Sequence, residues 1–163
     1  SFLRDNLVQA LIKEGKAEQT VLVPECGLQC KGRIDWISTD QHTLVDLKTT
    51  RNIQKRAFGN QFASLHYGMK LGLYRRWLTA VTGETWPVNV IALENHSPYD
   101  IVVYPIPDAV LDAGVDKAMR IIEKVRQAIT TDTWHGVAGG EYGALFVPTW
   151  QMEDEEEVRF PNE

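Results

Sequence analysis

Apolar residues fall at positions 3, 7, 10 and 11 of the segment 2–14, a spacing of three and four that predicts a short amphipathic helix closed by Gly15. The period then changes. Segments 18–24, 28–37 and 43–49 are short runs of strand-forming residues, parted by Glu25-Cys26-Gly27 and by a polar stretch from Ser38 to His42. They predict three antiparallel strands in a meander. A helical period returns over 60–82 and stops at Gly83. Two further strands are expected at 88–94 and 101–104, around the turn His96-Ser97-Pro98-Tyr99-Asp100. A long amphipathic helix follows over 108–129, with apolar residues at 110, 111, 115, 118, 121, 122, 125 and 129. The sum predicts an α/β fold, a mixed central β-sheet flanked by helices, in one domain over 1–150. An acidic tail over 151–163 is expected to be disordered.

Strand alternation gives this pattern chemical content. Residues two apart share a face, so Asp46 and Lys48 point one way while Val45 and Leu47 are expected to point into a core. The hairpin between the second and third strands brings Asp35 up beside Asp46. Two carboxylates and an ammonium at one place predict a divalent-metal site with a lysine next to it. A cross-strand ion pair of Asp35 with Lys48, worth little energetically, is the plainer alternative. An acid-x-Lys triplet alone is a weak signal, because Glu14-Gly15-Lys16 has it too. What distinguishes Asp46-Leu47-Lys48 is its place in an apolar strand, next to a strand that carries Asp35.

Charge distribution supports an anionic partner although the net charge is −5. Positions 151–163 hold six acids against one arginine, which accounts for all of that charge. From Leu47 to Gly83 there is no acid, whereas Lys48, Arg51, Lys55, Arg56, Lys70, Arg75 and Arg76 all occur there. A basic surface beside a carboxylate pair suits a phosphate backbone, and a solvated basic helix face is the plainer alternative. The two cysteines, Cys26 and Cys30, are too few for a structural zinc or an iron–sulfur cluster and are expected to be reduced thiols, with a disulfide across the strand turn as the alternative. No apolar run is long enough to span a membrane, and no membrane association is expected.

The run Gly32-Arg33-Ile34-Asp35 followed by Asp46-Leu47-Lys48 resembles the signature of the PD-(D/E)xK nuclease superfamily. Asp35 stands at its first acid, and Asp46 and Lys48 at its second acid and lysine. Within the superfamily, Leu11 to Glu18, Asp46 to Gln54, Trp86, Tyr104-Pro105-Ile106 and Val147-Pro148-Thr149-Trp150 are most similar to RecE-type phage and prophage exonucleases, relatives of lambda exonuclease and the RecB nuclease domain. The resemblance implies a restriction-endonuclease-like core and a catalytic set of Asp35, Asp46 and Lys48. It implies Mg²⁺, with Mn²⁺ able to substitute, held by Asp35, Asp46 and the Leu47 backbone carbonyl. Glu18 is the candidate for a further upstream ligand. Thr49, Thr50, Arg51, Lys55, His66, Lys70 and Tyr74 would contact DNA. Family members carry Gln-x-x-x-Tyr on the helix after the lysine strand; here Lys70 and Tyr74 hold those places.

The implied activity is a Mg²⁺-dependent 5′→3′ exonuclease on double-stranded DNA in phage-type recombination. It would work in the cytoplasm of a bacterial host, from a phage or prophage gene. A single-strand annealing protein and a homo-oligomeric ring are the implied partners. A structure-specific or restriction-type endonuclease, and a catalytically degenerate DNA-binding domain, are the alternatives.

Overall fold

Five strands lie in the order β1-β2-β3-β4-β5, the same in space as in sequence. In this computed structural model, which describes residues 6–134 and 136, β1 spans Gly15–Glu25, β2 Leu28–Ser38, β3 Thr43–Thr50, β4 Val88–Glu94 and β5 Ile101–Pro105. Helix α1 (Asn6–Ile12) precedes the sheet. Helices α2 (Lys55–Ser64) and α3 (Tyr67–Thr82) connect β3 to β4, and α4 (Asp108–Thr131) follows β5. The described residues through Thr131 belong to one compact unit. The segment Val147–Trp150, the expected domain end at 150 and the acidic tail lie outside the described residues.

β1, β2 and β3 pair antiparallel, as expected of a meander, and so do β4 and β5. β3 and β4 pair parallel, with Asp46 beside Val90 and Lys48 beside Ala92. A parallel neighbour needs a crossover, which α2 and α3 provide. The β1–β2 hairpin closes on Cys26-Gly27, both at positive φ (49° and 78°), the two-residue turn whose twist matches its strands.

Each face of the sheet buries a separate core. Leu44, Val90, Leu71, Trp77, Leu78 and Leu111 join on the face covered by α3 and α4. Val45 and Ile91 meet Val8 and Leu11 of α1 on the other. Helices α3 and α4 approach closely because glycines meet at their crossing. A Cβ on Gly114 would lie 2.2 Å from the Gly68 carbonyl oxygen, and one on Gly72 would lie 2.4 Å from that of Leu111.

Two sequence expectations change. Leu47 is 44% exposed rather than in a core: α1 is seven residues long, about two turns, and covers Val45 but not the residue two further on. The single helix expected over 60–82 is two helices that start earlier, at Lys55. His66 breaks them apart by taking a left-handed conformation (φ 55°) that an α-helix cannot continue through.

Candidate active site

β2 changes face at Asp35. Gly32 and Ile34 look toward α3, yet Trp36 packs with the α1 cluster and Ile37 with the α3–α4 cluster. Strict alternation would put Ile34 and Ile37 on opposite sides. The β1–β2 ladder is interrupted at the same point: Ala17 pairs with Trp36 and Gln19 with Ile34, but Glu18 and Asp35 are unpaired between them. Glu18 is left-handed there (φ 54°). Equal numbers of residues on the two strands make this a kink and not a bulge. The β2–β3 ladder also stops one step short, after Trp36 with Val45. Asp35 therefore sits where both ladders part, and its Oδ2 accepts the Leu47 backbone N–H at 3.2 Å.

Asp46 is 1% exposed. A carboxylate so deep is tolerable only when paired, and each of its oxygens faces an ammonium. Lys48, from the same face of β3, pairs with Oδ2, and Lys70 of α3 reaches Oδ1 at 3.1 Å. Burial raises the Asp46 pKa above the usual carboxylate range. Lys48 and Lys70 pull it back, and the neighbouring negative charge of Asp35 adds to the rise. Burial by itself would lower Lys70, but attraction to Asp46 and their hydrogen bond, helped by Tyr74 and Asp35, raise it. Both ammoniums rest on aromatic rings: Lys48 Nζ is 5.0 Å from the centre of Tyr67 and Lys70 Nζ 5.1 Å from that of Tyr74. Lys48 also donates to the Leu47 carbonyl at 3.3 Å. Tyr74 is fixed in turn, packing where Gly32 has no side chain and accepting the Arg33 backbone N–H at 3.3 Å.

Asp35, Asp46, Lys48, the Leu47 carbonyl, Lys70 and Tyr74 thus come together, and other expected contacts lie further out. Glu18 forms an ion pair with Arg33 on the exposed surface. Thr49 is exposed, but Thr50 is buried and its hydroxyl donates to Gln61 Oε1 at 2.6 Å, an inward role. The Arg51 carbonyl accepts from His96 Nε2 at 2.7 Å. His66 precedes α3 and does not share a helical face with Lys70; its Nδ1 is 3.2 Å from Lys117 Nζ. The basic stretch is also smaller than its composition suggests. Arg75 is held by Asp108 and Asp112, and Arg76 by Glu25. Arg51, Lys55 and Arg56 remain exposed, with no ion-pair partner among the described residues.

Sequence reading missed Tyr67 and Gln61. Tyr67 could have been found, since Tyr67, Lys70 and Tyr74 are spaced i, i+3, i+7 along one helix face. Gln61 carries no such signal, because its partner Thr50 lies in another element.

The donor set suits a hard cation. Carboxylate and carbonyl oxygens are what Mg²⁺ prefers, and it customarily keeps several waters in its octahedron. Among the described residues no three His, Cys, Asp or Glu side chains gather as a ligand group. Asp35, Asp46 and the Leu47 carbonyl are the oxygens that could hold one.

A crystal structure described as "Putative exonuclease" from Eubacterium rectale superposes with a TM-score of 0.65 at 14% identity, over 94% of this chain and 62% of its own length. The likeness is one of fold, and the chain spans less than two thirds of that protein. A second structure, of SSO0001, has a TM-score of 0.44 at 15% identity, over 71% of this chain and 54% of its own. No curated protein matches in sequence. The family described as a PDDEXK-like domain of unknown function (DUF3799) matches residues 1–141, most of the chain, in which Asp35, Asp46 and Lys48 fall. This chain belongs to that family of PDDEXK-like domains.

Proposed function

We propose that the chain is a divalent-metal-dependent deoxyribonuclease, and specifically a 5′→3′ exonuclease acting on double-stranded ends in phage-type recombination. The observation that supports it best is the pairing of a buried Asp46 with Lys48 next to Asp35, at a point where two strand ladders open. Burying an acid in this way costs stability, and a fold keeps such an arrangement where chemistry needs it.

Asp35, Asp46 and the Leu47 carbonyl would hold Mg²⁺ or Mn²⁺. When bound, such an ion lowers the pKa of a coordinated water and neutralises charge on the phosphate. Lys48 would keep its ammonium beside that water, orienting it and offsetting negative charge as the phosphodiester opens. Tyr67 steadies Lys48 from above through its ring. The exposed cations Arg51, Lys55 and Arg56 would take flanking phosphates, contacts that position a strand without reading its sequence. A homo-oligomeric ring and an annealing-protein partner belong to the same reading.

Degradation of end-labelled linear duplex with Mg²⁺ tests it, beside Asp46→Asn and Lys48→Ala. Each substitution should lower the rate by about a thousandfold. Equal rates in all three proteins would remove the assignment. Covalently closed circles should survive; their cleavage would make the enzyme an endonuclease. Release of labelled nucleotide from the 3′ end first would reverse the polarity.

A further inference from the structure

We infer that Lys70 is an exchangeable counter-ion of Asp46, one that holds the buried carboxylate in the metal-free protein and gives it up to an arriving divalent cation. The inference rests on the metal-dependent reading above, and three observations carry it.

Charge comes first. Asp35 and Asp46 supply two negative charges, and Lys48 and Lys70 supply two positive ones. The site is balanced without any metal. A divalent cation between the acids would leave two ammoniums in excess beside a carboxylate that is 1% exposed. Uncompensated charge in such a place is costly, so one lysine has to leave the carboxylate.

Enclosure decides which one. The Lys48 side chain is 13% exposed and lies 5.0 Å from the centre of the Tyr67 ring, a contact that a metal between the acids does not take away. Lys70 is 38% exposed and has Asp46 Oδ1 and the Tyr74 ring. Its four-carbon stem lets the ammonium swing out to solvent from a fixed backbone.

Position is the third. Lys70 comes from α3, whereas Asp35, Asp46 and Lys48 come from the sheet. The exchange needs no strand to move. Tyr74, held by the Arg33 amide, keeps α3 over the site whether Lys70 is docked or released.

Titration calorimetry with Mn²⁺ at pH 8 on the full chain decides this, using the wild type, Lys70→Met, Lys70→Gln and Asp46→Asn. Both Lys70 variants should bind Mn²⁺ about tenfold more tightly than the wild type, because the ion no longer displaces an ammonium. Their metal-free melting temperatures should fall below wild type, and Mn²⁺ should narrow the gap. A purely packing role for Lys70 would leave that gap unchanged. Wild-type binding that Asp46→Asn abolishes, with no tightening in either Lys70 variant, overturns this inference and leaves the metal-dependent reading standing. No binding by any of the four proteins overturns both. Should Lys70→Met fail to fold, Lys70→Gln, which keeps a polar head of shorter reach, carries the comparison.

Discussion

Thr50 shows how single residues near the site divide between structure and chemistry. It follows Lys48 by two and lies on the same face, but its hydroxyl is turned inward to Gln61 at 2.6 Å and also accepts the Asn52 amide at 3.3 Å. Thr50→Val keeps the shape and strands both partners, so unfolding in urea should show a loss of about 1–3 kcal/mol. A value near zero would mean that water replaces the hydroxyl easily. At this scale Asp46 and Lys48 were legible, because alternation along a strand is a strong rule and β3 obeys it on the Asp46 face. Asp35 was legible by neighbourhood only. The register that sets Trp36 opposite Val45 puts it next to Asp46; what stayed hidden is the kink beside Glu18 (φ 54°), where the β1–β2 ladder is interrupted. Leu47 was misread for a related reason: alternation says which way a side chain points, not whether anything covers it.

Elements place these residues, and the α3–α4 crossing does so for Lys70. Gly114→Ala would drive a methyl to 2.2 Å from the Gly68 carbonyl, a backbone contact that cannot swing aside. The helices must separate, at a cost of about 1–3 kcal/mol. A lowered melting temperature should accompany the change, and an unchanged one would show that α4 shifts freely. The loop after β3 is tied by His96 in the β4–β5 turn. Its Nδ1 and Nε2 lie 2.8 Å and 2.7 Å from the carbonyls of Ser97 and Arg51. Carbonyls only accept, so both nitrogens can donate at once only when the ring is protonated. Those bonds, Ser97 first and then Arg51, raise the His96 pKa above 6.5. A raised folded-state value means that the tie is complete below about 6.5 and is lost as pH rises through the folded-state pKa. Ring-proton NMR should find a midpoint above that of a free histidine, and a midpoint at or below it would contradict the bonding. The helix break at His66 was hidden from the sequence, since one left-handed residue leaves the apolar period nearly intact on either side.

At the scale of the molecule, the order of periods (helix, three strands, helix, two strands, helix) was enough to place a mixed sheet between helices. The chain follows it closely. What that order could not give was the partnership of charges. Seven bases without an acid read as a basic surface, but folding brings Asp108, Asp112 and Glu25 to Arg75 and Arg76 from elements far along the chain. Arg51, Lys55 and Arg56 are left near the end of β3, so removing these three should weaken duplex binding and flatten its salt dependence by about three units of slope. An unchanged slope would place the DNA elsewhere. Metal-dependent cleavage requires that Asp35 and Asp46 hold one ion with Lys48 beside it. A crystal soaked in Mn²⁺ and measured at the manganese absorption edge tests that most directly. One anomalous peak should appear, bounded by the carboxylates of Asp35 and Asp46; a peak bound elsewhere, or none at saturating Mn²⁺, would mean that these acids hold no ion there.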